Sequence, residues 1–194
     1  MLKVSGLRVE RSGHPLFAAL SFSLQPGQLF QVRGINGSGK TTLLRTLMGL
    51  YSEYEGSIEW DLDRPPVFLG HRAALSDRLT VLENLAWLCR LQDTPVAEAQ
   101  LEDALAQVEL QGYEDTPCGQ LSAGQRRRVA LALLFVSTNP CWILDEPFSS
   151  LDTDGCAAVE ELLSTHIDNG GAVILTSHQA LNRVGVAGTL ELQT

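Results

Sequence analysis

An eight-residue segment of this sequence has the residue types and spacing of a phosphate-binding loop. It runs from position 34 to position 41, reads Gly-Ile-Asn-Gly-Ser-Gly-Lys-Thr, and matches the pattern G-x-x-x-x-G-K-[ST]. Glycines let backbone N–H groups approach phosphate oxygens closely, and the N-terminus of the following helix attracts the same anion. We expect Lys40 to reach the β- and γ-phosphates of a nucleotide and the Thr41 hydroxyl to hold Mg²⁺. The residues predicted to contact the nucleotide are Gly34, Asn36, Gly37, Ser38, Gly39, Lys40, Thr41 and Thr42.

A pair of carboxylates, Asp145 and Glu146, directly follows the apolar segment at positions 141 to 144. A buried strand that runs into two carboxylates would deliver both to the edge of a sheet beside the phosphate loop. Asp145 suits the outer coordination sphere of Mg²⁺, and Glu146 suits the group that polarises an attacking water. Acidic residues often end strands, so this pair is a weak signal alone. With the phosphate loop upstream, it predicts a nucleotide-hydrolysing site.

Three short apolar segments are predicted to position these groups. They are Leu29 to Arg33, Cys141 to Leu144, and Ala172 to Thr176, and the third ends near His178. Each is followed by polar or glycine-rich residues, which is typical of parallel strands whose carboxyl ends carry chemistry. The pattern predicts an α/β fold with a mostly parallel sheet.

Helical periodicity fills the segments between these strands. One helix is predicted from Thr41 to Leu50, a second begins at Thr80 with Glu83 completing a capping box, and a third begins at Thr94-Pro95. Residues 72 to 135 are therefore interpreted as a helical subdomain inserted into a nucleotide-binding core. That core comprises residues 1 to 71 and 136 to 194, within a single domain.

The composition excludes several classes of protein. The chain has 194 residues and a net charge of −9, which argues against a free-standing nucleic-acid binder because phosphate contacts require basic residues. The longest apolar run, Val129 to Val136, is much shorter than the roughly 20 residues that span a bilayer. Four scattered cysteines form no C-x-x-C pair, which favours a reduced compartment and no metal site.

A further motif lies between the phosphate loop and the acidic pair. Leu121-Ser122-Ala123-Gly124-Gln125 contains an S-x-x-Q capping box, and the N-terminus of a capped helix favours an anion. The segment resembles the LSGGQ signature of the ATP-binding cassette (ABC) ATPases, with alanine in place of one glycine. Asp145-Glu146-Pro147, Ser150-Leu151-Asp152 and His178 then follow in the order of the Walker B motif, the D-loop and the switch histidine of that family. This resemblance covers nearly the whole chain.

The resemblance implies a fold, an activity and a set of roles. The fold is a P-loop NTPase of ABC type, in which an antiparallel β part at the N-terminus joins the mostly parallel core. The activity is ATP hydrolysis with Mg²⁺, for which Lys40, Glu146 and His178 are the catalytic residues and Thr41 and Asp145 hold the metal. Two chains would form a homodimer in which the signature of each acts on the ATP of the other. The residues for that contact are Ser122, Ala123, Gly124 and Gln125, with Asp152 in the D-loop.

Two positions depart from the ABC pattern. The family has an aromatic residue near Arg11 that stacks on adenine, and here Phe17 is the nearest aromatic side chain, so the guanidinium of Arg11 could stack instead. His71 occupies the Q-loop position after Val67-Phe68-Leu69, where the family has glutamine; alternatively, His71 is an ordinary loop residue. Arg126-Arg127-Arg128 follows the signature and is either a solvated face or a source of positive field near the phosphates.

A narrower resemblance connects the chain to the ATPase subunits of cytochrome c maturation (haem exporter) systems. It rests on Leu69-Gly70-His71, Thr80-Val81-Leu82-Glu83-Asn84-Leu85, the run from Leu121 to Ala132, and Trp142 to Phe148. It implies a membrane-spanning ABC subunit of the cytochrome c maturation type as partner, further haem-handling membrane subunits, and the cytoplasmic face of the bacterial inner membrane. The process would be haem export or release of a haem chaperone. The alternatives are the ATPase of another ABC exporter, a soluble ABC protein of translation or DNA repair, and a catalytically inactive scaffold.

Overall fold

A computed structural model describes residues 1–11 and 14–192. An antiparallel sheet contains β1 (Leu2–Arg11), β2 (His14–Pro15), β3 (Leu20–Leu24) and β5 (Tyr54–Trp60). β1 pairs antiparallel with all three neighbours. Its inward residues alternate along the strand, which is how a strand with one buried face is built.

A second sheet has the strand order β6-β7-β8-β4-β9. Its strands are β4 (Leu29–Arg33), β6 (Val67–Leu69), β7 (Cys141–Asp145), β8 (Ala172–Thr176) and β9 (Gly188–Glu191). β4 pairs in parallel with β8 and β9, and β7 pairs in parallel with β8. All five residues of β7 and of β8 are buried, as expected for parallel strands covered on both faces. The three predicted strands and the predicted fold class are confirmed.

The helices are α1 (Lys40–Leu47), α2 (Val81–Leu91), α3 (Glu98–Gln107), α4 (Ala123–Val136) and α5 (Thr153–Asp168), with a 3₁₀ turn at Cys118–Gln120. The capping box of Thr80 and Glu83 at the start of α2 is confirmed. α1 ends at Leu47 rather than at Leu50, because Gly49 adopts a left-handed φ of 69°. None of the helices within residues 1–11 and 14–192 is both long and apolar enough to cross a membrane.

The predicted start of the third helix at Thr94-Pro95 is wrong. The backbone N–H of Thr94 donates to the carbonyl of Cys89, and its hydroxyl donates to the carbonyl of Gln92, so Thr94 closes α2. α3 begins at Glu98 instead, where the side chain of Gln100 accepts the N–H of Ala97. A residue type that often caps the N-terminus of a helix can thus bind the last carbonyls of the preceding helix instead.

The chain divides into two compact units. The first comprises Met1–Phe68, Asn139–Glu146 and Leu163–Thr194, and the second comprises Leu69–Thr138 and Pro147–Leu162. The first has a core built on β1, α1 and the inward residues of β7 and β8. The sequence-based division places all of residues 136 to 194 with the nucleotide-binding core, whereas Pro147–Leu162 belong to the second unit in the structure.

One buried ring pair in the first unit involves a titratable group. The imidazole of His166 on α5 stacks on the indole of Trp142 on β7, with ring centroids 3.6 Å apart and 8° between the planes. Burial lowers the pKa of His166 to about 4, and hydrogen bonds with the backbone at Pro140 and Ala172 oppose this shift. His166 is therefore neutral in the folded chain at neutral pH.

This ring pair predicts a loss of stability in mild acid. The folded pKa of His166 lies below its ordinary value of 6.5, so protonation favours the unfolded chain. The stabilisation is complete above about pH 6.5 and is lost as the pH falls toward about 4. We expect the urea midpoint of the parent to fall more steeply over this range than that of His166→Asn, which cannot titrate. Equal slopes in the two proteins would contradict the assignment.

Candidate active site

The loop at positions 34 to 39 joins the end of β4 to the start of α1. Lys40 is buried, and its ammonium donates to the carbonyls of Gly34, at 2.8 Å, and Ile35, at 3.2 Å. Gly34 and Gly39 have φ values of 149° and 93°. A Cβ on Gly34 would lie 2.5 Å from the Ser38 hydroxyl, and one on Gly39 would lie 3.1 Å from the Phe17 ring. Only glycine fits at these two turns of the loop.

The N-terminus of α1 is open to an anion. No side chain caps it, in contrast to α2 and α4, which both carry capping boxes. The hydroxyl of Ser38 is buried at the same point and has no hydrogen-bond partner within residues 1–11 and 14–192. Uncapped N–H groups, a buried hydroxyl and an ammonium together suit the phosphates of a nucleotide. Asn36 and Gly37 lie exposed on the loop, and Thr42 is half-buried on α1.

A continuous polar network lies at the carboxyl ends of β7 and β8. The hydroxyl of Thr41 donates to Oδ2 of Asp145 at 2.8 Å, and the hydroxyl of Thr176 donates to Oδ1 of the same carboxylate at 2.8 Å. The backbone N–H of Glu146 donates to the Thr176 hydroxyl at 2.7 Å. We call these four residues the Thr41–Glu146 network. It unites two of the sequence motifs and brings together the predicted Mg²⁺ ligands, Thr41 and Asp145.

The backbone at Glu146 turns sharply as β7 ends. Its φ of 51° is left-handed, which costs free energy for a residue with a Cβ and is often found at active sites. The turn separates the two carboxylates, so that Asp145 is buried while Glu146 is partly exposed. Nε2 of His178 lies 3.4 Å from Oε1 of Glu146, and the His178 side chain is mostly exposed. The structure therefore brings Glu146 and His178 together beside the phosphate loop.

Thr176 is a site residue that the motif analysis misses. The sequence pattern marks it only as the last residue of an apolar strand. The parallel register pairs it with Asp145, so its hydroxyl reaches both that carboxylate and the next backbone N–H. A polar residue at the carboxyl end of a buried strand beside β7 was the available signal.

The signature segment lies in the second unit, at the start of α4. The side chain of Ser122 accepts the N–H of Gln125, and the side chain of Gln125 accepts the N–H of Ser122, so the predicted capping box is confirmed. A Cβ on Gly124 would lie 2.8 Å from the carbonyl oxygen of Ser150, whereas Ala123 is exposed. Alanine is thus tolerated at position 123, where the ABC pattern has glycine, but not at position 124.

This difference predicts the effect of two matched substitutions. Gly124→Ala forces the backbone at Ser150 to move, because the added Cβ would lie 2.8 Å from its carbonyl oxygen. That backbone is already strained, since Ser150 has a left-handed φ of 64°. We expect it to lower the free energy of unfolding by about 1–3 kcal/mol and to reduce ATP turnover severalfold. Ala123→Gly should cost at most about 1 kcal/mol and leave turnover near that of the parent. Denaturant unfolding and a phosphate-release assay measure both, and equal behaviour of the two variants would refute the contact argument.

The three consecutive arginines of α4 are not a solvated face. Arg127 is buried and donates to the carbonyls of Gly70 and Pro147. Arg126 pairs with Asp77 and donates to the carbonyl of Cys118. The solvated-face interpretation is therefore wrong, because partners far away in sequence occupy the guanidinium groups.

Arg128, the third of these arginines, bridges two loops of the second unit. It pairs with Glu109 and with Asp152, the latter at 2.8 Å. The other oxygen of Asp152 accepts the N–H of Gly155 at the start of α5, and this bond, with the nearby Arg128, lowers the pKa of Asp152. The carboxylate of Asp152, the predicted D-loop residue, is thus fixed to α4.

The two departures from the ABC pattern lie at exposed positions. β6 ends at Leu69, so His71 stands two residues beyond a strand end, and its assignment to the Q-loop position stays a prediction. Arg11 ends β1, pairs with His14 and is exposed. Phe17 is buried in the core of the first unit and contacts the position of Gly39, so it is a packing residue.

A strand, a glycine-rich loop and a helix N-terminus beside a strand-end carboxylate define the class of P-loop nucleotide-binding proteins. Comparison with known proteins narrows this class. Residues 17–149 match the family model described as "ABC transporter". The chain belongs to the ABC transporter family of ATP-binding proteins, and it is an ATPase of that family that binds ATP.

Individual relatives and structures agree with this family. The "Cytochrome c biogenesis ATP-binding export protein CcmA" of Vibrio vulnificus is 45% identical over 92% of this chain and 92% of its own length. The protein of the same name from Methylococcus capsulatus is 44% identical over 98% of this chain and 97% of its own length. An ATP-binding ABC transporter protein from Pyrococcus furiosus is similar in structure, with a TM-score of 0.84, 26% identity, and coverage of 98% of this chain and 96% of that one. A dimeric bacterial ABC transporter cassette has a TM-score of 0.80, 22% identity, and coverage of 92% and 88%.

Proposed function

We propose that this chain is the ATP-hydrolysing subunit of an ABC complex for cytochrome c biogenesis, where it drives haem export or release of a haem chaperone. The observation that carries the catalytic part is the Thr41–Glu146 network. It fixes the carboxylate of Asp145 against the phosphate loop and leaves Glu146 beside His178. The names of the curated relatives support the biological process.

The positions of the side chains support the following roles. Glu146 orients and polarises the attacking water, and His178, which lies beside it, contacts the γ-phosphate. Lys40 exchanges its two carbonyl partners for phosphate oxygens when ATP binds. The phosphate loop holds the remaining phosphate oxygens through its backbone N–H groups and Ser38.

The residues present fit a magnesium ion. A hydroxyl and a carboxylate lie together at Thr41 and Asp145, and Mg²⁺ prefers such hard oxygen ligands. When bound, the ion would neutralise charge on the β- and γ-phosphates. Thr176 holds the Asp145 carboxylate in place, because its hydroxyl donates to Oδ1 and leaves the other oxygen on the side of Thr41.

We further propose that two copies of the chain form the working unit. Ser122, Ala123 and Gly124 present the N-terminus of α4, a favourable place for an anion, and Gln125 completes its cap. In this arrangement the signature of one copy closes on the ATP of the other, with Asp152 at the junction. The dimeric cassette among the solved structures supports such a pairing.

The partner proposed for this dimer is a membrane-spanning ABC subunit of the cytochrome c maturation type, together with haem-handling membrane subunits. The chain would then act as a peripheral subunit at the cytoplasmic face of the bacterial inner membrane. His71 and the start of α2 would form the side that meets the partner, with His71 in the Q-loop position.

Complementation tests this proposal. The chain would be expressed in a bacterium that lacks its own cytochrome c biogenesis ATP-binding export protein, and covalently bound haem in c-type cytochromes would be measured by haem staining. We expect the chain to restore the cytochromes and Lys40→Ala to fail at equal expression. If the chain hydrolyses ATP and associates with membranes yet restores no c-type cytochrome, the ATPase of another exporter is the better assignment.

A further inference from the structure

Gln31 is a buried polar residue in the middle of β4 that no sequence motif includes. Its side chain is completely inaccessible to solvent, and Leu29 and Val32 of the same strand are buried apolar residues. Burying an amide costs free energy unless its donors and its acceptor are paired. The hydrogen-bond partners of Gln31 therefore indicate its role.

The amide nitrogen of Gln31 reaches the loop that carries His178. It donates to the carbonyl of Ser177 at 3.3 Å and to the carbonyl of Gln179 at 3.1 Å, the two residues on either side of the histidine. The same loop is also braced internally, because the N–H of Gln179 donates to the Ser177 hydroxyl. One side chain from β4 thus holds both backbone carbonyls that flank the histidine.

The amide oxygen of Gln31 is held from the opposite side. It accepts from Nε of Arg33 at 3.0 Å and from Nη2 of Arg33 at 2.7 Å. A cation that binds the oxygen fixes which end of the amide faces the loop, because only the NH₂ group can then face the two carbonyls. The same cation polarises the amide and strengthens the bonds that its NH₂ group donates.

We propose that Gln31, oriented by Arg33, is a positioning residue for ATP hydrolysis that sets the place of His178 beside Glu146. This inference rests on the proposed role of His178. β4 also ends in the phosphate loop, so Gln31 ties the histidine to the strand that positions the phosphates. The distance of 3.4 Å between His178 and Glu146 then depends on β4 as well as on β7 and β8.

The test is a double-mutant cycle on the full chain. Gln31→Met keeps an unbranched side chain of similar length and removes both donors. We expect kcat to fall roughly ten- to hundredfold with little change in KM for ATP, because a small misplacement of a reacting group lowers rate more than binding. In a His178→Ala background, the same substitution should change kcat less than about twofold.

A matched control separates positioning from general destabilisation. Gln28→Met changes another glutamine close to β4, whose side chain accepts the N–H of Gln25. We expect its kcat to equal that of the parent. The ring signals of His178, assigned by their loss in His178→Ala, should move in the NMR spectrum of Gln31→Met and stay in place in that of Gln28→Met.

The results separate the role of Gln31 from the role of His178. An equal loss of kcat in the parent and His178→Ala backgrounds, or unmoved His178 signals in Gln31→Met, would overturn the role of Gln31. Unchanged turnover in His178→Ala itself would overturn the proposed role of the histidine. In that case moved ring signals would still show that Gln31 fixes the loop, so the two failures are distinguishable.

Discussion

Replacing Glu146 with glutamine should lower ATP turnover about a thousandfold, within the range that general-base catalysis contributes. The carbonyl of the amide is a much weaker acceptor than a carboxylate, so the attacking water is no longer activated. The backbone of Glu146, which donates to Thr176, is unchanged, and the Thr41–Glu146 network stays in place. ATP should therefore still bind.

The same variant tests the two-copy arrangement. Glu146→Gln blocks hydrolysis but changes neither the phosphate loop of one copy nor the signature of the other. It should therefore accumulate as an ATP-bound dimer in size-exclusion chromatography with Mg²⁺. Glu102→Gln, an exposed position on α3, is the matched control and should hydrolyse ATP at the parent rate. A Glu146→Gln protein that binds ATP but stays monomeric at high concentration would argue against a composite site.

Replacing Lys40 with alanine should have the second large effect. The ammonium supplies charged hydrogen bonds to the phosphates, and losing bonds worth about 1.5–3 kcal/mol each weakens ATP binding by roughly 10- to 100-fold or more. Turnover should become negligible. Isothermal titration with ATP and a phosphate-release assay measure the two effects.

The chain offers an unusually clean control for this variant. Lys3 is its only other lysine, and it lies exposed on β1. Lys3→Ala should bind and hydrolyse ATP as the parent does. The thermal midpoint of Lys40→Ala should stay close to that of the parent, since the ammonium of Lys40 donates to two carbonyls of its own loop. Normal turnover in Lys40→Ala would disprove the phosphate-loop assignment.

Sequence patterns predict the parts of the site whose signals are local. β4, β7 and β8 are short apolar runs, and each ends in a polar motif, so their boundaries and their shared edge can be read directly from the chain. The capping boxes at Thr80 and Ser122 depend on residues three positions apart and are also predictable. The roles of Lys40, Glu146 and His178 remain predictions.

The features that sequence patterns miss depend on partners distant in the chain. Arg127 has the sequence context of a surface charge, but its partners are backbone carbonyls at positions 70 and 147. Gln31 bonds to carbonyls that are 146 and 148 residues away in the sequence. The prediction that a helix starts at Thr94 failed for a different reason. Its partner, Gln92, is close in sequence, but one residue can cap either of two neighbouring helices, and helix propensity does not choose between them.

The position of β4 in its sheet has a consequence for how the protein is synthesised. β4 leaves the ribosome early, yet both of its partners, β8 and β9, come from the last part of the chain. Until they emerge, the strand that leads into the phosphate loop has no neighbour, and Thr176 is absent from its place beside Asp145. Pairings between such distant segments form late in folding. A nascent chain that stops before residue 172 would therefore not retain nucleotide, and ATP binding would mark chains whose translation has passed β9.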